Sequence, residues 1–95
     1  EVLVQTAENY RSDDIDFCDR LVYDLAMEDY QKAYDNNNFN GLRYKKNLID
    51  FGTTIGDWFL IGEQYSKMSP SGGECFDIKK SNCYSFIKNR EVDKK

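Results

Sequence analysis

The sequence predicts a mainly α domain: an antiparallel helical hairpin spanning residues 12–34 and 42–67, followed by a short C-terminal helix or β-ribbon closed by a disulfide. Three observations carry this expectation. Apolar residues recur at helical spacing from Ile15 to Ala33. Tyr44, Leu48, Phe51, Ile55, Trp58, Gly62 and Tyr65 step alternately by four and three, a heptad seam that strand alternation cannot produce. Between the two tracts, "DNNNFNG" gathers turn formers into a connection short enough to force neighbouring helices antiparallel. The 95 residues fit a single domain, and seven Tyr, six Phe and one Trp supply a modest core.

Taken in order, residues 1–11 are too short to fix a conformation and read as an N-terminal arm. Ser12, followed by Asp13, Asp14 and Asp16, has the composition of a helix start, because a hydroxyl caps free amides and carboxylates favour the positive end of the dipole. The stripe that follows is Ile15, Cys18, Val22, Leu25, Ala26 and Ala33, with Asp29 intruding. In the second helix Phe59 widens the seam. Gly52, Gly56 and Gly62 each weaken a helix by about 1 kcal/mol relative to alanine, so the sequence allows a kink near residues 52–56 or the close approach of another backbone.

"SPSGG" ends the second helix. Cys75 and Cys83 flank "FDIKKSN", and a bridge between them would stabilise this coreless segment by roughly 2 kcal/mol. The alternative is two free thiols. Cys18 falls on the apolar stripe and reads as a small buried hydrophobe. The segment itself is either a helix starting after Ser81, with Cys83, Phe86 and Ile87 on one side, or a ribbon pairing "CFDI" with "CYSFI". Residues 91–95 read as a flexible basic tail.

Charge is divided unevenly. Residues 1–40 hold ten acids and three bases, whereas residues 41–95 hold seven acids and ten bases. Glu28, Asp29 and Asp35 lie toward the negative end of the first helix, and Arg43, Lys45 and Lys46 crowd the positive start of the second. A hairpin brings these unfavourable ends together, so much of the acidity serves internal pairing. The remainder forms a stripe. At about 100° per residue, Asp13, Phe17, Arg20, Asp24, Glu28, Gln31 and Asp35 share a face roughly opposite Val22 and Leu25, with Asp13, Phe17, Asp24, Glu28 and Asp35 as the candidate docking residues. An aromatic ring among carboxylates suits docking of a basic partner, the ring anchoring and the charges steering. The competing expectation is that the N-terminal arm or the C-terminal helix packs over Phe17.

Much chemistry is excluded. The chain has no histidine, which removes histidine general bases, Ser-His and Cys-His nucleophiles, and His-containing zinc sites. Three cysteines without C-x-x-C make no metal centre. Asn36, Asn38, Asn40 and Gly41 imitate the start of a calcium loop, but they are amides, and Asn47 stands where the bidentate glutamate belongs. No cofactor, metal or catalytic residue is expected. Net charge −4 disfavours nucleic acid, and the chain contains no apolar run long enough to cross a bilayer.

The expected function is therefore that of a small acidic protein-binding protein. It would act as an inhibitor or immunity protein that occludes a basic or active-site surface; in size and charge alone the chain is similar to bacterial immunity proteins. The alternatives are an assembly module pairing through the 44–65 seam, as monomer or homodimer, and a secreted effector of a host protein. A Cys75–Cys83 bridge implies a periplasmic or secreted setting, and free thiols a cytoplasmic one.

Overall fold

The computed structural model describes residues 2–10, 15–62, 65–70, 87 and 90–95. Among these the chain is mainly helical, as expected, with a small two-stranded sheet. The elements are α1 (Val2–Tyr10), α2 (Phe17–Asp35), α3 (Asn40–Asn47), a 3-10 turn (Ile49–Phe51), α4 (Ile55–Ile61), β1 (Lys67–Met68) and β2 (Val92–Asp93).

Helix α2 is the axis of the molecule. Every residue from Leu21 to Met27 is buried, so the helix is covered on all sides and not along one stripe. Helix α1 packs on it through Leu3 and Ala7, which makes the expected N-terminal arm a helix that contributes to the core. Helix α3 covers another side, and Leu48, Trp58, Met68, Ile87 and Val92 complete the same core.

The start of α2 is set by Asp16. Its carboxylate accepts from Asp19 N at 2.8 Å, while Asp19 Oδ2 accepts from Asp16 N at 3.2 Å. This reciprocal box satisfies two amides that the first turn leaves without partners. The expected cap, Ser12, lies outside the described residues with Asp13 and Asp14. At the other end Asn36 N donates to Lys32 O and Asn38 N to Ala33 O, and Asn37 takes φ 70°, the left-handed conformation that asparagine tolerates. The chain then reverses into α3, as the turn cluster predicts. Gly41 sits directly against the Tyr30 carbonyl and Tyr34 amide of α2, leaving no room for a Cβ.

The expected continuous helix over 42–67 is corrected: the tract is broken. Helix α3 ends at Asn47, the 3-10 turn follows, and Gly52 is extended at φ −75° and ψ 175°. Thr54 then opens a new helix, its Oγ1 accepting from Asp57 N at 3.1 Å and Asp57 Oδ2 accepting from Thr54 N at 2.9 Å. The break falls where the glycines allowed it, and a Thr-x-x-Asp box restarts the helix. The heptad seam is divided accordingly: Leu48 and Trp58 are buried while Ile55 points to solvent.

β1 pairs antiparallel with β2, Lys67 opposite Asp93 and Met68 opposite Val92. Residues 91–95 are thus fixed, not a flexible tail: Val92 is buried and Lys94 N donates to Ser66 O at 2.8 Å. The expected helix or ribbon over 75–90 lies outside the described residues apart from Ile87 and Arg90. The Cys75–Cys83 bridge is not supported; both residues are outside the described ones, and no cysteine pair stands at bonding distance among those described. Cys18 is fully buried as expected, but its sulfur is disulfide-bonded and not a free thiol.

Two glycine substitutions separate close approach from simple helix breaking. Gly41→Ala is expected to destabilise by about 1–3 kcal/mol, since the new methyl meets backbone atoms. Gly56→Ala, where a Cβ meets only the Thr54 hydroxyl at an ordinary contact distance of 3.7 Å, is expected to stabilise by up to about 1 kcal/mol. Urea denaturation of both variants measures the difference.

Candidate functional site

The site is built on a polar hub between α2 and the break at residues 52–54. Asp24 accepts at both carboxylate oxygens from Thr53 N, at 3.2 and 3.3 Å, and at Oδ2 from Thr53 Oγ1. The same hydroxyl oxygen accepts from Trp58 Nε1 at 3.0 Å. Lys95 Nζ donates to Asp24 Oδ1 at 3.0 Å and to the Thr53 carbonyl at 2.6 Å. One turn earlier on α2, Arg20 Nη1 donates to the carbonyls of Asp50 and Gly52 at 3.3 and 3.1 Å. Gly52 is pressed against Asp24 and Met27, so a side chain there has no space. Spacing of four on one helix thus presents a cation to carbonyls and an anion to amide and hydroxyl, and together they grip the extended link.

The hub fixes α4 in place with two unlike faces. Trp58 is completely buried, its ring edge-on to Phe17 at 5.1 Å and 83°. On the outer side Ile55, Phe59 and Leu60 are 72%, 73% and 84% exposed. Beside them lies an open groove of about 320 Å³, lined by Ile15, Phe17, Arg20, Asp57, Leu60 and Ile61. Its two charged groups are engaged, Arg20 with the link and Asp57 in the cap, so a slot of mixed polar and apolar lining lies next to an apolar helix face. Asp50 is exposed at the start of the link and Asp57 half-buried on α4, so acids flank this face.

The residues of the expected docking stripe are not brought together. Asp13 is outside the described residues. Phe17 is half-buried at the floor of the groove, packed on Trp58. Asp24 does not face outward, and its side chain, 6% exposed, is consumed by the hub. Glu28 and Asp35 are exposed farther along α2, Glu28 paired with Lys32 at 3.4 Å and Asp35 Oδ1 accepting from Gln31 Nε2 at 3.0 Å. Such exposed pairs contribute less than about 1 kcal/mol.

Internal charge pairing does occur, with another partner than the hairpin ends: Asp29 receives both Arg90 nitrogens, at 2.8 and 3.1 Å, whereas Lys45 Nζ donates to the neutral amide oxygen of Gln31 at 2.8 Å. Sequence reasoning missed Ile55, Phe59 and Leu60 as surface residues. Their signal was the Thr-x-x-Asp start at residues 54–57, which makes α4 a separate seven-residue helix too short to bury apolar residues on every side.

Among the described residues no group of three metal-ligating side chains comes together, and no helix is long and apolar enough to cross a membrane. No family model matches the chain, and no curated protein or solved structure does so.

Thr53→Val tests the hub. It removes a donor to Asp24 and the acceptor of Trp58 Nε1, both buried. A loss of about 1–3 kcal/mol is expected, with a shift in tryptophan emission as the indole loses its partner. Unchanged stability and an unchanged spectrum would show that the hub does not hold α4.

Proposed function

We propose that this chain is a small acidic protein-binding protein, an inhibitor or immunity protein that acts by occluding a basic or active-site surface of a partner. The observation that carries the reading is the outer face of α4, where Ile55, Phe59 and Leu60 stand in solvent beside the groove floored by Phe17. Contiguous exposed apolar side chains on a firmly anchored helix are what an interface core requires. The flanking Asp50 and Asp57, with Glu28 and Asp35 on α2 and a net charge of −4, favour a partner whose rim is cationic. Phe17 keeps the anchoring role that the sequence suggests, now as the floor of a slot that receives a partner's side chain. Asp24 supports the site through the fold.

Homodimerisation is the second reading, and the same α4 face favours it, since a self-complementary apolar patch serves a two-fold interface. A photo-crosslinking residue at position 59, expressed in the native source, distinguishes the two. The inhibitor reading expects a crosslink to a different chain that is abolished by Leu60→Gln and formed several-fold more slowly with Glu28→Lys. A crosslink to a second copy supports the dimer, and a pattern indifferent to Leu60 removes both. Because Phe59 and Leu60 are exposed, their substitution by glutamine is expected to change folding stability by less than about 0.5 kcal/mol.

The disulfide at Cys18 supports a periplasmic or secreted setting. In unreduced, unfolded protein, alkylation is expected to label one of the three cysteines and to spare Cys18; reductant exposes all three. Labelling of Cys18 without reductant would remove the extracytoplasmic proposal.

A further inference from the structure

A second groove, of about 330 Å³, lies between α2, α3 and β2, away from the α4 face. Its floor is apolar, formed by the buried side chains of Met27 and Val92. Its rim is charged, but the charges differ in what already satisfies them. Lys95 is committed to Asp24 and the Thr53 carbonyl. Glu28 is offset by Lys32 at 3.4 Å. Lys45 is half-buried and donates to the neutral amide oxygen of Gln31 at 2.8 Å, and among the described residues no carboxylate pairs with it. Gln31 is itself held by Asp35 through its amide nitrogen at 3.0 Å. The Lys45 ammonium is thereby held at the lining of the groove, partly buried and, among the described residues, without a paired carboxylate.

We propose that this groove binds a small mono-anionic amphiphile, with its carboxylate on Lys45 and its apolar body over Met27 and Val92. A partly desolvated ammonium gains more from an anion than from a neutral amide, because charge-assisted hydrogen bonds are roughly twice as strong as neutral ones. An anion at the other end of the groove would meet Asp24, which sets the orientation of the ligand. Small-molecule sites span roughly 300–1,000 Å³ and combine apolar walls with a few placed polar groups. At about 330 Å³ the groove has room for a medium-length alkyl chain or one aromatic ring. The two grooves share no lining residue, so this proposal stands whether or not the α4 face docks a protein.

Titration of isotope-labelled protein with decanoate, followed by amide chemical shifts, tests the proposal. Saturable shifts are expected at residues 27, 45 and 92. Affinity is expected to fall about tenfold in Lys45→Gln, the scale of one charge-assisted hydrogen bond, and to hold in Lys46→Gln, which alters the exposed neighbour on α3. Decanol, which lacks the charge, is expected to bind correspondingly more weakly. Thermal melting of Lys45→Gln guards against misreading a folding defect, and an unchanged midpoint is expected. Equal affinity of the Lys45 variant, shifts centred on Phe59 and Leu60, or a response that never saturates would each overturn the assignment.

Discussion

A carboxylate buried in the middle of the central helix is the constraint from which the remaining arrangement follows. Asp24 has apolar residues on either side along α2, and a charge taken out of water there is tolerated only if its lone pairs are met by donors. The donors come from two distant stretches of chain: the amide and hydroxyl of Thr53, whose oxygen in turn accepts from the Trp58 indole, and the ammonium of Lys95. Meeting them requires an extended link in place of a helical turn, a glycine at residue 52, and a C-terminal strand laid beside α2. No buried side-chain nitrogen or oxygen among the described residues is left without a partner. The break in the 42–67 tract is therefore a requirement of the polar core and not a local weakness.

This arrangement also explains why the apolar surface sits where it does. The hub orients α4 so that Trp58 is buried against Phe17, and a helix of seven residues fixed in this way cannot also hide Ile55, Phe59 and Leu60. Exposed apolar side chains on a mobile segment would be a liability. Held by a buried tryptophan and a capping box, they present a defined shape, which lowers the ordering cost of association. The acids on α2 play a different part from the one their periodicity suggests, because Asp24 is structural while Glu28 and Asp35 remain at the surface.

Helical content, the α2 apolar residues and the reversal at residues 35–41 were legible in the sequence because each rests on local rules: 3.6-residue spacing, turn chemistry and glycine punctuation. The face of α2 was misread because a helical wheel assigns one polar side to any helix, whereas α2 is enclosed by α1, α3 and the C-terminal strand. Position 24 then looks solvated when it is a buried carboxylate bonded to Thr53 and Lys95. The single long second helix was an error of the same kind. A heptad spacing registers apolar positions and is blind to the donor that a distant aspartate requires. The Thr-x-x-Asp box at residues 54–57 and the three glycines carried the correction, and they outweigh the seam. Basic residues at the C-terminus read as a solvated tail since nothing local reveals that Lys95 answers a charge far away in sequence.

That distance has a consequence for how the molecule is made. The contacts joining Asp24 to Lys95 and Thr53 to Lys95 span 71 and 42 positions, and contacts of such long reach close slowly because the intervening loop entropy must be lost first. During synthesis the central helix and its first neighbours leave the ribosome well before residue 95, with the carboxylate still lacking its ammonium. Until Lys95 clears the exit tunnel, a nascent chain holds a central carboxylate without its ammonium, and the hub closes only after this stretch has been translated.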